Sequence, residues 1–306
     1  PICEREVRRS YSFSSSPDAG EPYEITVKRV DNGEISRLLH HKMAVGDTID
    51  VLEAQGLFVY DAAPNKKNTV FLFAAGVGIT PLFSILKTVL LTDETSKVVL
   101  IYSNSSPAQT LFYDLLIAWQ SRFPGRLKIE FLWSNSKNLL NARLNRDYLI
   151  DIVNANLEVD MTPVFYTCGP LFYMDLCRFT LLGMGFPDDT IKRETFHFPE
   201  DEADEDEKEE VPVDKSSYTV TLRLNGADHL LTIPYDKTIL EVGLAHQLKI
   251  PYSCKSGMCS TCISQVKEGA VRMDYNEVLT DREVDNGRCL ICTSHPLMDN
   301  TIIEIL

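Results

Sequence analysis

Pro251-Tyr252-Ser253-Cys254-Lys255-Ser256-Gly257-Met258-Cys259-Ser260-Thr261-Cys262 sets three cysteines at C-x4-C-x2-C spacing, and a fourth, Cys292, follows after a further twenty-nine residues. This is the plant-type spacing for a two-iron, two-sulfur (2Fe-2S) cluster, in which four thiolates hold both irons. Small residues and Gly257 let the backbone wrap tightly, with amide N–H groups free to donate to sulfur and tune the potential. A zinc site is the alternative. Zinc usually takes two short C-x2-C pairs, whereas here the first gap is four residues and the fourth ligand stands alone. Cys289 competes as fourth ligand, but Cys292 gives the better spacing and Cys289 reads as a small buried apolar residue. A chain that holds such a cluster is expected to move single electrons.

The sequence around the loop supports a small α+β unit. Tyr218 to Leu224 alternates as a strand, Asn225-Gly226 is a hairpin turn, and His229 to Ile233 returns. A short helix is expected from Ile239 to Gln247, with later strands from Thr261 to Glu268 and from Thr301 to Leu306. Over about the last ninety residues this pattern resembles a plant-type ferredoxin, which implies a β-grasp fold.

At 306 residues the chain is long enough for two or three domains, and 44% hydrophobic content is ordinary for a soluble globular protein. No apolar run reaches the length needed to cross a bilayer. A formal charge of -14 argues against a nucleic-acid partner. Much of that charge is local, because Glu200 to Glu210 contains nine acids and one lysine. Such a run cannot bury surface and reads as a solvated, self-repelling linker, with a docking tail for a basic partner as the alternative. Of the eight cysteines, Cys3, Cys168, Cys177 and Cys289 are left over from the cluster and show no disulfide framework spacing. A reducing compartment, the cytoplasm, is therefore expected. Any targeting segment would lie upstream of Pro1, since the chain opens inside a domain.

From about Pro64 to Pro199 strands and helices alternate, the pattern of a parallel, doubly wound sheet with helices on both faces. Val70 to Ala74 is an apolar strand that runs into Ala75-Gly76-Val77-Gly78-Ile79-Thr80-Pro81 and then the helical stretch Leu82 to Leu91. Gly76 and Gly78 allow a tight turn and close approach by a pyrophosphate, whose charge a helix N-terminus stabilises. Pro81 replaces the third glycine of the usual dinucleotide fingerprint, and it suits a first helical turn. A second strand, Val164 to Thr167, ends in Cys168-Gly169-Pro170 before a helix from Leu171 to Leu182. Ligands in doubly wound sheets sit at the carboxyl ends of strands, so the two turns are expected to face one ligand. Together GVGITP and CGP resemble the nicotinamide-nucleotide domain of the ferredoxin-NADP reductase superfamily. The resemblance implies that Gly76, Gly78 and Thr80 contact the pyrophosphate and that Cys168, Gly169 and Pro170 lie beside the nicotinamide, with Cys168 among the catalytic residues.

Arg9-Ser10-Tyr11-Ser12, about sixty-five residues before GVGITP, matches the same family's R-x-Y-S flavin motif. The match implies Arg9 on the flavin pyrophosphate, Tyr11 stacked on the isoalloxazine and Ser12 close to its reactive edge, with Tyr11 and Ser12 taking part in catalysis. A guanidinium offers phosphate paired donors, while an aromatic face and a hydroxyl orient a ring. Gly33-Glu34-Ile35-Ser36, preceding a short helix from Arg37, resembles the family's second phosphate-binding turn, which implies Gly33, Ile35 and Ser36 at the cofactor. Glu194 and Phe196, in Arg193-Glu194-Thr195-Phe196, resemble its Glu-x-Phe segment near the flavin. The family's flavin domain is an antiparallel β-barrel whose first strands precede R-x-Y-S; those strands are not in this chain, so only a partial barrel is expected.

The expected order is a partial flavin barrel (1–63), a nucleotide domain (64–199), an acidic linker (200–216) and a ferredoxin domain (217–306). That order resembles the reductase components of phenylacetyl-CoA epoxygenase systems and, more loosely, phthalate dioxygenase reductases. It implies an enzyme, an NAD(P)H:acceptor oxidoreductase with FAD (FMN standing second) and a 2Fe-2S cluster, serving a protein acceptor such as an oxygenase. A non-catalytic electron carrier with a degenerate reductase domain is the alternative. After Val98 to Tyr102, the stretch Ser103-Asn104-Ser105-Ser106 has neither an acid for a ribose hydroxyl nor an arginine for a 2'-phosphate, which leaves NADH and NADPH open and leans towards NADH. The six histidines show no metal-ligand spacing.

Overall fold

A computed structural model describes residues 7–30, 32–61, 67–137, 142–196 and 216–306. The acidic run, Cys3 and the expected boundary near Pro64 lie outside the described residues. The chain forms two compact units: Tyr11–Thr48 with Phe58–Phe196, and, among the described residues, 7–10 and 49–57 with 216–306.

In the first unit, Gly33 caps helix α1 (Glu34–His41), three residues earlier than the sequence suggested. Strand β1 (Asn68–Ala75) leads into α2 (Ile79–Thr92); β2 (Lys97–Asn104), α3 (Tyr113–Arg122), β3 (Leu127–Trp133), α4 (Arg146–Asn156), β4 (Thr162–Cys168), α5 (Leu171–Gly183) and β5 (Ile191–Glu194) follow. The five strands form one parallel sheet in the order β3-β2-β1-β4-β5. β1 is wholly apolar at its centre because both its faces are covered. Val70, Leu72 and Ala74 join a core built with Leu82, Leu86 and Val89 of α2, while Phe71 and Phe73 join a second core with Leu149 and Val153 of α4 and Cys177 and Leu181 of α5. Lys87, in the middle of α2, is only 3% exposed and is neutralised by a close ion pair with Glu21.

Before this sheet, extended stretches surround one isolated antiparallel bridge, Phe13 to Ile25, with Ser14 N donating to Glu24 O at 2.9 Å. No strand forms among the described residues of 7–61, since these stretches find no neighbouring strand for their amides. The expected barrel is thus represented by that bridge.

In the second unit, the hairpin β6 (Tyr218–Leu224) and β7 (Ala227–Ile233) turns at Asn225-Gly226, both with positive φ. Helix α6 (Ile239–Ala245) starts at a capping box between Thr238 and Glu241. It stops two residues short of the sequence estimate because Gln247 takes φ 60 and Leu248 N turns back to Gly243 O. Strands β8 (Ile263–Glu268) and β9 (Val271–Met273), helix α7 (Asp281–Asp285), and strands β10 (Arg288–Leu290), β11 (Ser294–Pro296) and β12 (Thr301–Ile305) complete the unit. The main sheet runs β10-β8-β12-β6-β7, with β12 parallel to β6 and the other pairs antiparallel; β9 and β11 form a separate ribbon. β8 begins at Ile263 rather than Thr261 because the last cysteine of the loop still belongs to the turn.

Candidate functional site

In the first unit, two glycine turns meet at the carboxyl ends of β1 and β4. These strands are neighbours, yet the chain leaves β1 for β2 on the far side, so the crevice between them is the switch point of the sheet. A Cβ on Gly78 would lie 2.1 Å from the Cys168 carbonyl oxygen, and one on Gly169 would lie 2.8 Å from the Ala75 Cβ. Gly76 differs: its φ is +56 and nothing stands within 4 Å of a Cβ position. Gly78 and Gly169 therefore serve the packing of one turn on the other, while Gly76 keeps an open cradle of the kind a pyrophosphate needs. Tyr102 OH donates to Gly76 O at 3.0 Å and the Thr80 hydroxyl donates to Val77 O at 3.1 Å, which fixes the turn. Pro170 stands at the N-cap of α5. Nearby, buried polar groups cluster at the strand ends, where Ser103 pairs with Tyr173, Asn104 with Tyr102 and Thr167 with Cys177.

Strand register adds a second feature at the same edge. β4 and β5 pair Cys168 with Glu194, and the Ser12 hydroxyl donates to Glu194 Oε1. Burial pushes the Glu194 carboxyl above its ordinary value, with the Ser12 hydroxyl pulling the other way. Cys168 is fully buried, and burial followed by the nearby Glu194 pushes its thiol well up, so it stays a neutral thiol at physiological pH. Ser12, Cys168 and Glu194 were each legible in sequence; that they form one chain of contacts was not. Phe196 packs on the core beside α2, and Tyr11 is half-buried.

At the other expected phosphate turn, the Ser36 hydroxyl accepts from Val30 N at 3.1 Å and lies 3.4 Å from Gly33 O. It closes the turn, so any grip on phosphate there falls to the amides of Ile35 and Ser36, which have no acceptor inside the helix. In the second unit, Arg9 is exposed and its Nη1 donates to the Arg8 carbonyl at 2.8 Å.

The cysteine loop of the second unit brings its thiols together. Cys254 hydrogen-bonds with Cys259 and with Cys292, and Cys292 with Cys262. These contacts make two pairs, 254 with 259 and 262 with 292, joined through Cys254 and Cys292. Among the described residues no group of three or more ligand-type side chains is set around one point as a single ion would need. The donors that surround the sulfurs are backbone amides: Ser256 N and Met258 N point to Cys254 Sγ, and Cys254 N to Cys259 Sγ, each at 3.4 Å. Gly257 permits the wrap, since its φ is +75 and a Cβ would lie 2.5 Å from Tyr275 O. The Ser256 hydroxyl adds a side-chain hydrogen bond to Cys254, and four thiols with amide donors fit a 2Fe-2S cluster. Cys289, the rival fourth ligand, is 0% exposed, and burial lifts its thiol to about 12.

Fold and site together define an NAD(P)H oxidoreductase of the ferredoxin-reductase type, with its iron-sulfur domain in the same chain. Models of three families match in order: an oxidoreductase FAD-binding domain over residues 1–60, an oxidoreductase NAD-binding domain over 72–178, and a 2Fe-2S iron-sulfur cluster binding domain over 222–297. The chain belongs to the ferredoxin-NADP reductase superfamily, in the branch that carries all three domains. It is 30% identical over 303 residues to one of the subunits of the 1,2-phenylacetyl-CoA epoxidase of Escherichia coli (strain K12), covering 98% of this chain and 84% of that one. It is 32% identical over 303 residues to the 3-ketosteroid-9-alpha-monooxygenase ferredoxin reductase component of Rhodococcus rhodochrous, covering 97% and 82%. Among solved structures it is similar to phthalate dioxygenase reductase, with TM-score 0.55, 25% identity, and 97% and 83% coverage. No helix among the described residues is long and apolar enough to cross a membrane.

Proposed function

We propose that this chain takes electrons from NAD(P)H and delivers them, through FAD and a 2Fe-2S cluster, to a cytoplasmic redox partner, an oxygenase component acting in aromatic-compound, phenylacetyl-CoA-like catabolism. When bound, the flavin accepts two electrons as hydride and releases them singly to the cluster. The relatives named above support the oxygenase partner, as does the retention of all three binding regions in one chain. We assign residues 1–63 to the flavin domain as part of a β-barrel, 64–199 to the nucleotide domain, 200–216 to a linker and 217–306 to the ferredoxin domain. Seven free cysteines among the described residues support a reducing compartment.

The observation that carries the reading is the seating of the GVG turn against the Cys-Gly-Pro turn, with Ser12, Glu194 and Cys168 linked at the same edge. In this assignment Gly76, Gly78 and Thr80 shape the pyrophosphate cradle, and Gly169 and Pro170 shape the floor for the nicotinamide. Cys168 presents a neutral thiol there, and Ser12 with Glu194 forms a hydrogen-bonded pair able to orient the flavin edge and hold a proton. Arg9 and Tyr11 of the motif, with Gly33, Ile35 and Ser36 of the second turn and Phe196, are assigned to the flavin. Cys254, Cys259, Cys262 and Cys292 are assigned as the iron ligands, two to each iron.

The test is turnover of reconstituted protein with NADH and cytochrome c as acceptor, alongside iron and sulfide analysis. Cys292→Ser is expected to abolish cytochrome c reduction while flavin is still reduced by NADH. Cluster absorbance without NADH turnover would identify a bare electron carrier and overturn the reading.

A further inference from the structure

The buried face of helix α2 is apolar apart from Thr80 and Lys87, and Ser84, Lys87 and Thr88 are spaced to form one polar stripe along it. All three meet the segment that follows Ser12, within the first unit. The Ser84 hydroxyl donates to Ser15 O at 2.7 Å, and the hydroxyls of Ser16 and Thr88 lie 2.8 Å apart. Lys87 Nζ pairs with Glu21 Oε2, which also accepts from Ser16 N at 3.0 Å, and the ammonium stands 4.5 Å from the Phe83 ring centroid. Ser14, Ser15 and Ser16 are all buried, and their free sides are closed by Thr26 Oγ1 donating to Ser14 Oγ and Glu24 N donating to Ser15 Oγ, each at 2.9 Å.

These contacts close a circuit. Gly78, at the start of α2, packs on the end of β4 at Cys168; Cys168 lies in register with Glu194; Glu194 accepts from Ser12; and two residues beyond Ser12 the chain is fastened back onto α2. One helix therefore carries the open Gly76 cradle at its beginning and holds the flavin motif further along.

We propose that Lys87 is a positioning residue for hydride transfer: through Glu21 and the buried serines it keeps Ser12 in register with the two nucleotide turns. The inference rests on the assignment of Ser12 to the flavin edge. The step it serves moves one hydride, two electrons with one hydrogen, so that NAD(P)H is oxidised and flavin reduced with no other reactant. Such a step is sensitive to placement, and an error of about 1 Å costs roughly a hundredfold in rate. A buried ion pair is a weak device for stability, because desolvation offsets its attraction. It is a strong device for direction, since a lysine removed from water can be satisfied only where its carboxylate stands.

The experiment compares wild type, the double variant Lys87→Met with Glu21→Gln, and Lys87→Arg. Hydrogen exchange of the full-length protein, with no NAD(P)H present, reads the Ser14 and Ser16 amides, which donate to Glu24 O and Glu21 Oε2. In the double variant both are expected to exchange at least about tenfold faster. Stopped-flow reduction by NADH is expected to show a limiting rate lowered about tenfold to a hundredfold, with half-saturation changed less than about twofold, because the cradle and the Cys-Gly-Pro turn are untouched. Lys87→Arg, which keeps the cation, is expected to recover most of the rate. A wild-type protein whose flavin NADH does not reduce would overturn the site assignment and this inference with it. With wild type active, the inference alone is overturned by unchanged exchange or an unchanged limiting rate in the double variant, or by a rate loss matched by an equal loss of bound flavin. Where the double variant fails to fold, Ser84→Ala with Thr88→Val, which removes the other two holds on Ser15 and Ser16, carries the test with the same expected direction.

Discussion

Gly78→Ala tests whether the two glycine turns really share one site. The added methyl would stand 2.1 Å from the Cys168 carbonyl oxygen, 2.4 Å from its carbon and 2.8 Å from Gly169 N. All three are backbone atoms at the end of a central parallel strand, so no rotamer change relieves the clash. To reach ordinary contact the turns must part by more than about an ångström, in a region where the flanking residues Ala74 and Ile79 are both fully buried. Overpacking of this kind costs about 1–3 kcal/mol. For a unit of this size that lowers Tm by about 5 °C. The same displacement separates Cys168 from the Gly76 cradle, and a misplacement of about 1 Å costs roughly a hundredfold in rate. Stopped-flow reduction of bound flavin by NADH is the assay, with cluster content as the internal control because the cysteines lie in the other unit. Gly76→Ala provides the contrast: its methyl meets nothing within 4 Å, and its φ of +56 costs about 1 kcal/mol, so its effect should fall on the KM for nucleotide. A Gly78→Ala protein with wild-type Tm and wild-type flavin reduction would refute the shared-site argument.

Three further outcomes are expected. Gly257→Ala puts a methyl 2.5 Å from Tyr275 O at a positive φ, so purified protein should lose most of its iron and sulfide while NADH still reduces flavin. Glu194 has a raised folded pKa, so its contribution to stability is present below its ordinary value of 4.5 and is lost as pH rises through the raised one. Glu194→Gln, permanently neutral, should therefore gain Tm relative to wild type at pH 7 to 8, lose that advantage near pH 4, and reduce flavin at least about tenfold more slowly. Because the end of β2 and the residues after it, Ser103-Asn104-Ser105-Ser106, carry no arginine, kcat/KM for NADH should exceed that for NADPH; an inverted ratio would show that a 2'-phosphate is read elsewhere.

What was legible in the sequence was local. The cysteine loop, the GVG and Cys-Gly-Pro turns and the apolar strands that feed them are written in consecutive residues, and turn chemistry and strand burial are local properties. Helix ends moved where a backbone device decided them, as at Gln247, whose left-handed conformation no propensity announces. Pairings over long separations were not legible. Ser12 meets Glu194 across 182 residues, and Glu21 meets Lys87 across 66. Lys87 sits inside an apolar helical stretch, where sequence alone offers no sign of its counter-ion. The barrel expectation came from resemblance and depended on partner strands; the extended stretches of 11–30 pair only at Phe13 and Ile25.

The two ionisable groups at the crevice edge follow one electrostatic logic. Burial disfavours charge on both the Glu194 carboxyl and the Cys168 thiol, and each charged form would further disfavour the other. A single negative charge there raises the cost of a second, so at most one of the pair ionises near neutral pH, and the carboxyl is the more acidic. Hydride delivery moves negative charge into the same region, onto whatever ring stands there. A neutral thiol does not oppose that transfer, whereas a thiolate would. Replacing Cys168 by Asp would install the charge the fold excludes, and the substitution should slow flavin reduction far more than Cys168→Ser, which keeps a small neutral group. Equal rates for the two variants would mean that charge at this position is irrelevant and that Cys168 fills space alone.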